Sequence, residues 1–311
     1  MPATNILKCL LCQSHDIKIN DSLTGSQIRT LWNTMGITLS DNALGIIDRN
    51  YQVNLNQCIS CGHKFFAPRL VGSAEFYEEL MSKRPYPVGS PEFNFAITYA
   101  KSRNVKNVVD VGCGEGAFLD LARSAGLETI GVELNRHAAL VAASRGHRII
   151  DKQLNEIQPS EVGGGADMLT LFQVVEHVPS PVEFIKESAM LVRSGGFIVV
   201  AVPSHRRILS LLRYDPADWP PHHISRWRPI DLKRLALEAG LKQIHASADL
   251  MVGRAIPSFY NLHNKLAKSL GKPQIPVSDS LIELVSFVYR ALKCKYYLPC
   301  HGSSIYAIYQ K

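Results

Sequence analysis

The sequence lacks the features that mark secreted and membrane-spanning chains. Residues 1–12 have neither the basic start nor the apolar run of a signal peptide, and no stretch approaches the roughly 18 uncharged apolar residues of a spanning helix. Internal repeats and low-complexity segments are also missing, and a composition of 46% hydrophobic and 20% charged residues excludes disordered and fibrous classes. We therefore expect a cytoplasmic globular protein with one large domain and a small one.

No dense run of positive charge accompanies the formal net charge of +7. Lys and Arg are scattered, apart from one cluster that consists of Arg206, Arg207, Arg213, Arg226, Arg228, Lys233 and Arg234. Most basic surface is simply solvated, and we interpret this cluster first in that way. The alternatives are an anionic substrate, such as a nucleotide-linked compound, and nucleic acid, for which the sequence has no strong signal.

Four of the seven cysteines occur in two pairs, Cys9-x-x-Cys12 and Cys58-x-x-Cys61. Cysteines in a reducing compartment are not expected to form disulfides, and four thiolates at this spacing suit a structural zinc ion in a closed tetrahedral site. The interval of 45 residues between the pairs exceeds the usual length of a zinc ribbon, so the ribbon must carry an insertion.

From residue 105 onward, short apolar runs alternate with amphipathic stretches, which is the pattern of a parallel sheet with crossover helices. The predicted strands are 107–111, 128–133, 147–151, 167–173, 197–202, 242–249 and 303–310. The predicted organisation is a zinc-ribbon-like module over 1–67, a linker with a helical segment over 68–104, a core over 105–250, a helical insertion over 251–302 and a closing strand over 303–311.

Capping residues and apolar periodicity also predict helices. Ser180 is the predicted N-cap of one helix, with Glu183 completing a capping box and an apolar stripe that ends at Val192. A second helix is predicted over about 230–239. Within the insertion, an apolar face predicts an amphipathic helix over 279–293, which we expect to pack on the core or on a partner subunit; contact with a membrane surface is the alternative.

A glycine-rich turn, Val109-Asp110-Val111-Gly112-Cys113-Gly114-Glu115-Gly116, stands between a buried strand and a helix. Glycines permit a tight turn and close approach of a ligand, and the helix N-terminus attracts polar or negative groups. Glu133 ends the next strand, where its carboxylate can accept hydrogen bonds from two ribose hydroxyls. The spacing also satisfies the dinucleotide fingerprint, so an oxidoreductase remains a rival at this point.

Four segments together indicate a family, and they occur along the chain in this order: VVDVGCGEGAFLDLARSAG, TIGVELN, ADMLTLFQVVEHVPSP and LVRSGGFIVVAVPS. With them the chain resembles the class I S-adenosylmethionine-dependent methyltransferases over about 90–250 and the final strand. The resemblance implies an α/β, Rossmann-like sheet of seven strands with the last one antiparallel. The cofactor-binding residues that it implies are Asp110, Gly112, Cys113, Gly114, Gly116, Glu133, Asp151 and Gln173.

Two segments supply candidates for the general base of such an enzyme, since a histidine titrates near neutrality. His177 lies in VVEHV, which resembles the ubiquinone-biosynthesis O-methyltransferases; there a further acid, at the place of Gln173, helps to hold a divalent ion. His222 and His223 form the second candidate pair; His223 begins HISRW, which resembles a His-x-Ser-x-aromatic segment of the sugar C-methyltransferases, whereas His222 stands in a stretch where those enzymes have a Tyr and an acid. Those enzymes also carry a zinc-binding N-terminal module that supports the substrate cleft.

The sequence thus predicts an enzyme that transfers a methyl group from S-adenosylmethionine to an oxygen or a carbon of a small molecule, with histidine-assisted deprotonation. The acceptor class we expect is a nucleotide-linked sugar, a glycan or a natural-product precursor. One alternative is a protein that binds or modifies nucleic acid with its ribbon and basic cluster, marked by steep salt dependence. Another is a binding protein that retains the cofactor without turnover.

Overall fold

The first strands of the chain form a small antiparallel sheet. In the computed structural model, which describes residues 7–45, 50–84, 89–205, 214–250, 256–274 and 301–311, they are β1 (Ile17–Thr24), β2 (Gln52–Cys58) and β3 (Lys64–Ala67). The insertion between the cysteine pairs contributes β1 and helix α1 (Gly25–Thr34). β2 lies between β1 and β3 and pairs with both.

Two helices fill the segment between this sheet and the core. α2 (Ala74–Lys83) begins after Ser73, whose side chain accepts a hydrogen bond from the amide of Phe76. α3 (Pro91–Ser102) has a proline in its first turn. Because Phe93 of α3 packs against Phe118 and Phe172, this helix is part of the core packing rather than a free spacer.

The remaining elements alternate between strands and helices. The strands are β4 (Asn107–Val111), β5 (Glu128–Val132), β6 (Arg148–Ile150), β7 (Ala166–Phe172), β8 (Val192–Pro203), β9 (Ser225–Arg226), β10 (Lys242–Leu250) and β11 (His301–Gln310). The helices are α4 (Ala117–Ser124), α5 (Arg136–Ser144), α6 (Pro181–Met190), α7 (Pro229–Glu238) and α8 (Ile256–Ser269). Every residue of β7 is buried, as expected for a central strand that is covered on both faces.

Seven of these strands form one sheet in the order β10-β11-β8-β7-β4-β5-β6. β11 is antiparallel to its neighbours β8 and β10, and the pairs from β8 to β6 are parallel. The predicted α/β sheet is thereby confirmed. The chain runs outward from β4 to β6 and then returns to β7 on the other side of β4. This reversal opens a crevice at the carboxyl ends of β4 and β7, where open α/β sheets bind ligands.

The predictions around α6 are confirmed in part. Ser180 is the N-cap residue, as predicted, but its side chain makes no capping hydrogen bond, so the predicted capping box with Glu183 is wrong; the backbone of Ser180 has φ −132° and ψ +73° instead of the extended conformation usual for an N-cap. Pro181 occupies the first turn as predicted. Val192 belongs to β8 rather than to the helical stripe, because β8 begins there and a register shift opposite Ala166 accommodates the glycines that follow.

The small sheet and the large sheet contribute residues to the same hydrophobic core. One hydrophobic core contains Cys9, Cys58 and Phe65 from the N-terminal residues together with Leu169 and Ile198 from the large sheet. A second core lies around α1 and α2 and also includes residues of the segment before β9. The N-terminal module is therefore packed onto the core rather than tethered to it.

Two further predictions concern contact with a partner subunit or a membrane. The helix predicted over 279–293 lies outside the described residues, as do 251–255 of the same insertion; α8 is its described helical part. Among the described residues, each helix is too short or too polar to cross a bilayer.

Candidate functional site

The chain turns sharply at the crevice, directly after β4. Gly112, Gly114 and Gly116 have φ values of +73°, +53° and +87°, which L side chains rarely adopt. A Cβ at Gly112 would lie 2.6 Å from Cγ2 of Val174, so this turn also packs closely against the end of β7. Gly116 precedes α4, whose N-terminus favours polar or negative ligand groups.

Glu133 closes this turn from the end of β5. Its carboxylate accepts hydrogen bonds from the amide of Gly114 at 2.8 Å and from the amide of Asn135 at 2.7 Å. Burial raises the pKa of Glu133, and those amide hydrogen bonds oppose the rise. An ionised carboxylate offers about four lone-pair sites, so about two remain for hydroxyl donors of a ligand.

Asp110 lies beneath the turn in β4, where its Oδ1 accepts a hydrogen bond from the hydroxyl of Thr170 at 2.6 Å. Burial raises the pKa of Asp110 to about 7; the Thr170 hydroxyl opposes this rise, and the charge of Glu133 adds to it. Burial and both carboxylates also raise the pKa of the Cys113 thiol. The thiol is therefore protonated at neutral pH, which argues against a nucleophilic role for this cysteine.

The other two predicted cofactor residues follow β6 and β7. Asp151 is exposed, and its charge contributes to the raised pKa of Glu133. Gln173 has φ +57°, and its side-chain amide donates to Oε1 of Glu92 at 3.0 Å and to Oγ of Ser304 at 3.2 Å. Glu92 and Ser304 were not expected from the sequence, since neither belongs to a motif and only the sheet order brings α3 and β11 to this point.

Three histidines meet beside the same crevice. His177 ends a short 3-10 turn after β7, while His222 and His223 precede β9. The ring centroid of His177 lies 4.9 Å from those of His222 and His223, which stack on each other at 4.4 Å. One ring nitrogen of each histidine lies within 4.8 Å of the others. The two segments that the sequence presents as competitors thus form one cluster.

Two of these rings are oriented by backbone carbonyls. Nδ1 of His177 faces the carbonyl oxygen of His222 and the hydroxyl of Tyr77, the latter at 3.0 Å. Nδ1 of His222 donates to the carbonyl oxygen of Ala217 at 2.9 Å. Burial, reinforced by a neighbouring histidine in each case, lowers the pKa of both rings to about 3, so they are neutral at physiological pH.

The third ring lies between two carboxylates. Nδ1 of His223 is 3.3 Å from Oδ1 of Asp218, and Nε2 of His223 is 3.9 Å from Oε1 of Glu176. The same Glu176 oxygen lies 3.8 Å from Nε2 of His177. Both His223 and Asp218 line a small cavity at the end of β8. Tyr77 was not expected from the sequence, because it lies 100 residues from His177, whose ring it contacts. Asp218 lies five residues before His223 and was also missed, because it belongs to no recognised motif.

The N-terminal sheet holds the second histidine segment in place. β9 pairs with β3 through Phe65 and Ser225, and the amide of Phe66 donates to the carbonyl oxygen of Ile224 at 2.9 Å. On the opposite side, the amide of Ile224 donates to the carbonyl oxygen of Glu176 at 3.0 Å. Ile224 therefore connects the cysteine module to the turn that carries the first histidine.

The four paired cysteines converge as the spacing predicts. Sγ of Cys9 lies 3.6 Å from that of Cys61, Sγ of Cys12 lies 3.5 Å from that of Cys58, and all four lie within 4.8 Å of one another. Zinc–sulfur bonds of about 2.3 Å in a tetrahedron place the sulfurs about 3.8 Å apart. The arrangement therefore fits a tetrahedral zinc ion, and these four thiols are not joined in disulfides.

Two arginines of the basic cluster make structural contacts. Arg226 is buried, and its guanidinium lies over the rings of Phe66 and Trp219. Arg228 forms an ion pair with Asp231 at 2.7 Å. Three further members lie outside the described residues, namely Arg206, Arg207 and Arg213. These contacts favour a structural role for the two central arginines over nucleic-acid recognition.

Comparison with known proteins adds independent findings. A family model described as "Methyltransferase domain" matches residues 89–246, just over half of the 311 residues. A Mycobacterium tuberculosis protein described as a "Probable S-adenosylmethionine-dependent methyltransferase" is 28% identical over 139 residues, which are 45% of this chain and 50% of that protein. The ubiquinone biosynthesis O-methyltransferase of Burkholderia pseudomallei is 29% identical over 152 residues, which are 45% of this chain and 66% of that enzyme.

The chain thus spans about half to two thirds of the length of these curated relatives. Among solved structures, a SAM dependent methyltransferase from Archaeoglobus fulgidus aligns with a TM-score of 0.48 and 18% identity, over 76% of this chain and 100% of that chain.

Proposed function

The chain belongs to the methyltransferase-domain family, and from this premise we propose that it transfers a methyl group from S-adenosylmethionine to a small-molecule acceptor. The observation that carries the proposal is the position of Glu133. Its carboxylate is held against the amide of Gly114 at the topological switch point, where a ribose bearing two hydroxyls can donate to it.

We assign the cofactor contacts to the groups around this turn. The methionine and ribose portions border Asp110 and the backbone from Gly112 to Gly116, where positive φ values keep side chains out of the way. Glu133 binds the ribose, Asp151 lies on the adenine side and Gln173 forms the floor. The cofactor supplies an electrophilic methyl group, and the protein's task is to hold the acceptor in line with it.

The histidine cluster is the proposed site of acceptor activation. Asp218 faces Nδ1 of His223 at 3.3 Å, which favours the tautomer with the lone pair on Nε2. Nε2 then takes up the proton that the substrate loses as the substrate attacks the methyl carbon of the cofactor. His177 and His222 form the rest of the polar wall around the substrate. We favour an oxygen acceptor because a matched relative is named as an O-methyltransferase; a carbon acid is the alternative.

The cysteine module has a structural part in this proposal. A zinc ion bound by Cys9, Cys12, Cys58 and Cys61 ties the start of the chain to the end of β2. β3 follows that strand and pairs with β9, so the ion stabilises the support on which His222 and His223 stand.

Calorimetric titration tests the cofactor assignment directly. We expect S-adenosylmethionine and its demethylated product, S-adenosylhomocysteine, to bind, and NAD not to bind. A methyl-labelled cofactor offered with panels of hydroxylated acceptors then tests the transfer. Binding of NAD with no binding of either sulfur compound would refute the proposal in favour of an oxidoreductase.

A further inference from the structure

Glu92 is a buried acid that the proposed cofactor and acceptor contacts do not use. It is the second residue of α3 and is only 3% exposed. Its Oε1 accepts a hydrogen bond from the side-chain amide of Gln173 at 3.0 Å, whereas its Oε2 is buried without a hydrogen-bond partner in the part of the chain that the structure describes. A buried carboxylate is costly unless hydrogen bonds or a cation compensate its charge, so Oε2 requires a further partner.

The chain's own compensation of this charge is incomplete. Among the described residues, no Lys, Arg or His forms an ion pair with Glu92. The N-terminus of α3 carries a partial positive charge of about half a unit, and the Gln173 amide is a neutral donor. These groups contribute less than one full positive charge. A bound cation with N–H donors would supply both the charge and a hydrogen bond to Oε2.

The location of Glu92 points to the methionine end of the cofactor. In the sheet, β7 and β4 are neighbours, and β5 and β6 follow on the other side of β4. The proposed complex puts the adenine beside β6 and the ribose on Glu133 after β5, so the amino-acid end extends across β4 toward β7. Gln173 directly follows β7, and a Cβ at Gly112 would lie 2.6 Å from Cγ2 of the adjacent Val174. Glu92 belongs to this end through its contact with Gln173.

We propose that Glu92 binds the α-ammonium group of S-adenosylmethionine, an inference that rests on the proposed function and adds a recognition residue to it. An ammonium is a compact cation with three N–H donors, one of which can bond to Oε2. The sulfonium of the same molecule has no N–H, and its methyl group must face the acceptor. Gln173 is a positioning residue in this site, because its amide donates to Oε1 of Glu92 and is itself fixed by Oγ of Ser304.

This contact gives the site a way to select its ligand. Every adenosine compound carries the ribose hydroxyls that the proposed complex places on Glu133, but only compounds that retain the amino acid carry the ammonium. Adenosine and 5′-methylthioadenosine lack it. Nucleoside phosphates would instead bring negative charge toward the buried carboxylate, which is unfavourable at short range. Glu92 therefore favours S-adenosylmethionine and S-adenosylhomocysteine over other adenosine compounds.

Calorimetric titration of the full chain with two ligands tests this assignment. The ligands are S-adenosylhomocysteine and its deaminated analogue, in which hydrogen replaces the amino group and the carboxylate is kept. Glu92→Gln should bind S-adenosylhomocysteine roughly 10- to 150-fold more weakly than the wild type, which is the effect of one charge-assisted hydrogen bond, and should bind the analogue as the wild type does. Glu75→Gln, at the exposed second position of α2, is the matched control and should leave both affinities unchanged.

The ratio of the two dissociation constants identifies the role of Glu92. An equal loss of affinity for both ligands would mean that Glu92 only supports Gln173, and unchanged affinity for both would mean that it contacts neither; each result overturns the ammonium site. The wild type supplies a further test in case Glu92→Gln does not fold, since equal affinity of the wild type for the two ligands also overturns the site. Absence of S-adenosylhomocysteine binding to the wild type refutes the proposed function itself, on which the inference rests.

Discussion

Replacing Glu133 by Gln should weaken cofactor binding much more than it changes the free energy of unfolding. The wild-type carboxylate accepts from the amides of Gly114 and Asn135 and, in the proposed complex, from two ribose hydroxyls. Gln keeps the shape but replaces one acceptor oxygen with an NH₂ donor. At least one charge-assisted hydrogen bond to the ribose is then lost, worth about 1.5–3 kcal/mol, which corresponds to roughly 10- to 150-fold weaker binding.

The effect on folding should be much smaller, because the charge that Gln removes is itself unfavourable. Burial raises the pKa of Glu133 above its unfolded value, so the native state binds more protons in the window just above that value. Wild-type stability contributed by this group therefore falls as the pH rises through the window. The Gln variant should lack this fall, which offsets its lost hydrogen bond to a backbone amide.

Calorimetry with S-adenosylhomocysteine and chemical unfolding at pH 5 and pH 8 measure the two effects. Glu128→Gln, an exposed change at the start of β5, the strand that Glu133 follows, is the matched control and should leave both unchanged. Glu133→Ala should lose stability as well as affinity, since both amides lose their acceptor. Wild-type affinity in Glu133→Gln would show that the ribose binds elsewhere.

Three further changes test the surrounding structure. Asp110→Asn should flatten the pH dependence of unfolding between about pH 4 and pH 7, where the raised pKa makes wild-type stability fall by up to about 1.4 kcal/mol per pH unit; parallel profiles would contradict this. Cys58→Ser should lose one zinc ion and lower the Tm by more than about 5 °C, and an unchanged metal content would exclude the cysteine site. Gly112→Ala should cost about 3 kcal/mol through its positive φ and its contact with Val174, whereas Gly126→Ala, with open space around it, should cost about 1 kcal/mol; equal losses would argue against that contact.

Much of the fold is encoded locally and was predictable for that reason. The strands from β4 to β7 lie within one or two residues of their predicted bounds, because buried parallel strands require continuous apolar runs. The turn at Gly112 was predictable because its backbone needs positive φ, and the convergence of Cys9 and Cys58 was predictable because two Cys-x-x-Cys pairs have the spacing of a structural zinc site. The two errors, the capping box at Ser180 and the assignment of Val192 to a helix, concern the ends of elements, whose bounds sequence patterns define least well.

The sequence by itself determined the glycine-rich turn, the acid that follows it and the two cysteine pairs, since each depends on spacings of a few residues or on backbone conformation. Only the tertiary structure decided that His177 meets His223 and that Asp218 and Glu176 flank them. The contacts of His177 and Glu176 with His223 join segments more than 40 residues apart, and they depend on how β3 pairs with β9 beside the large sheet. Spacing along a chain carries no information about such pairings, because they arise from the packing of whole elements.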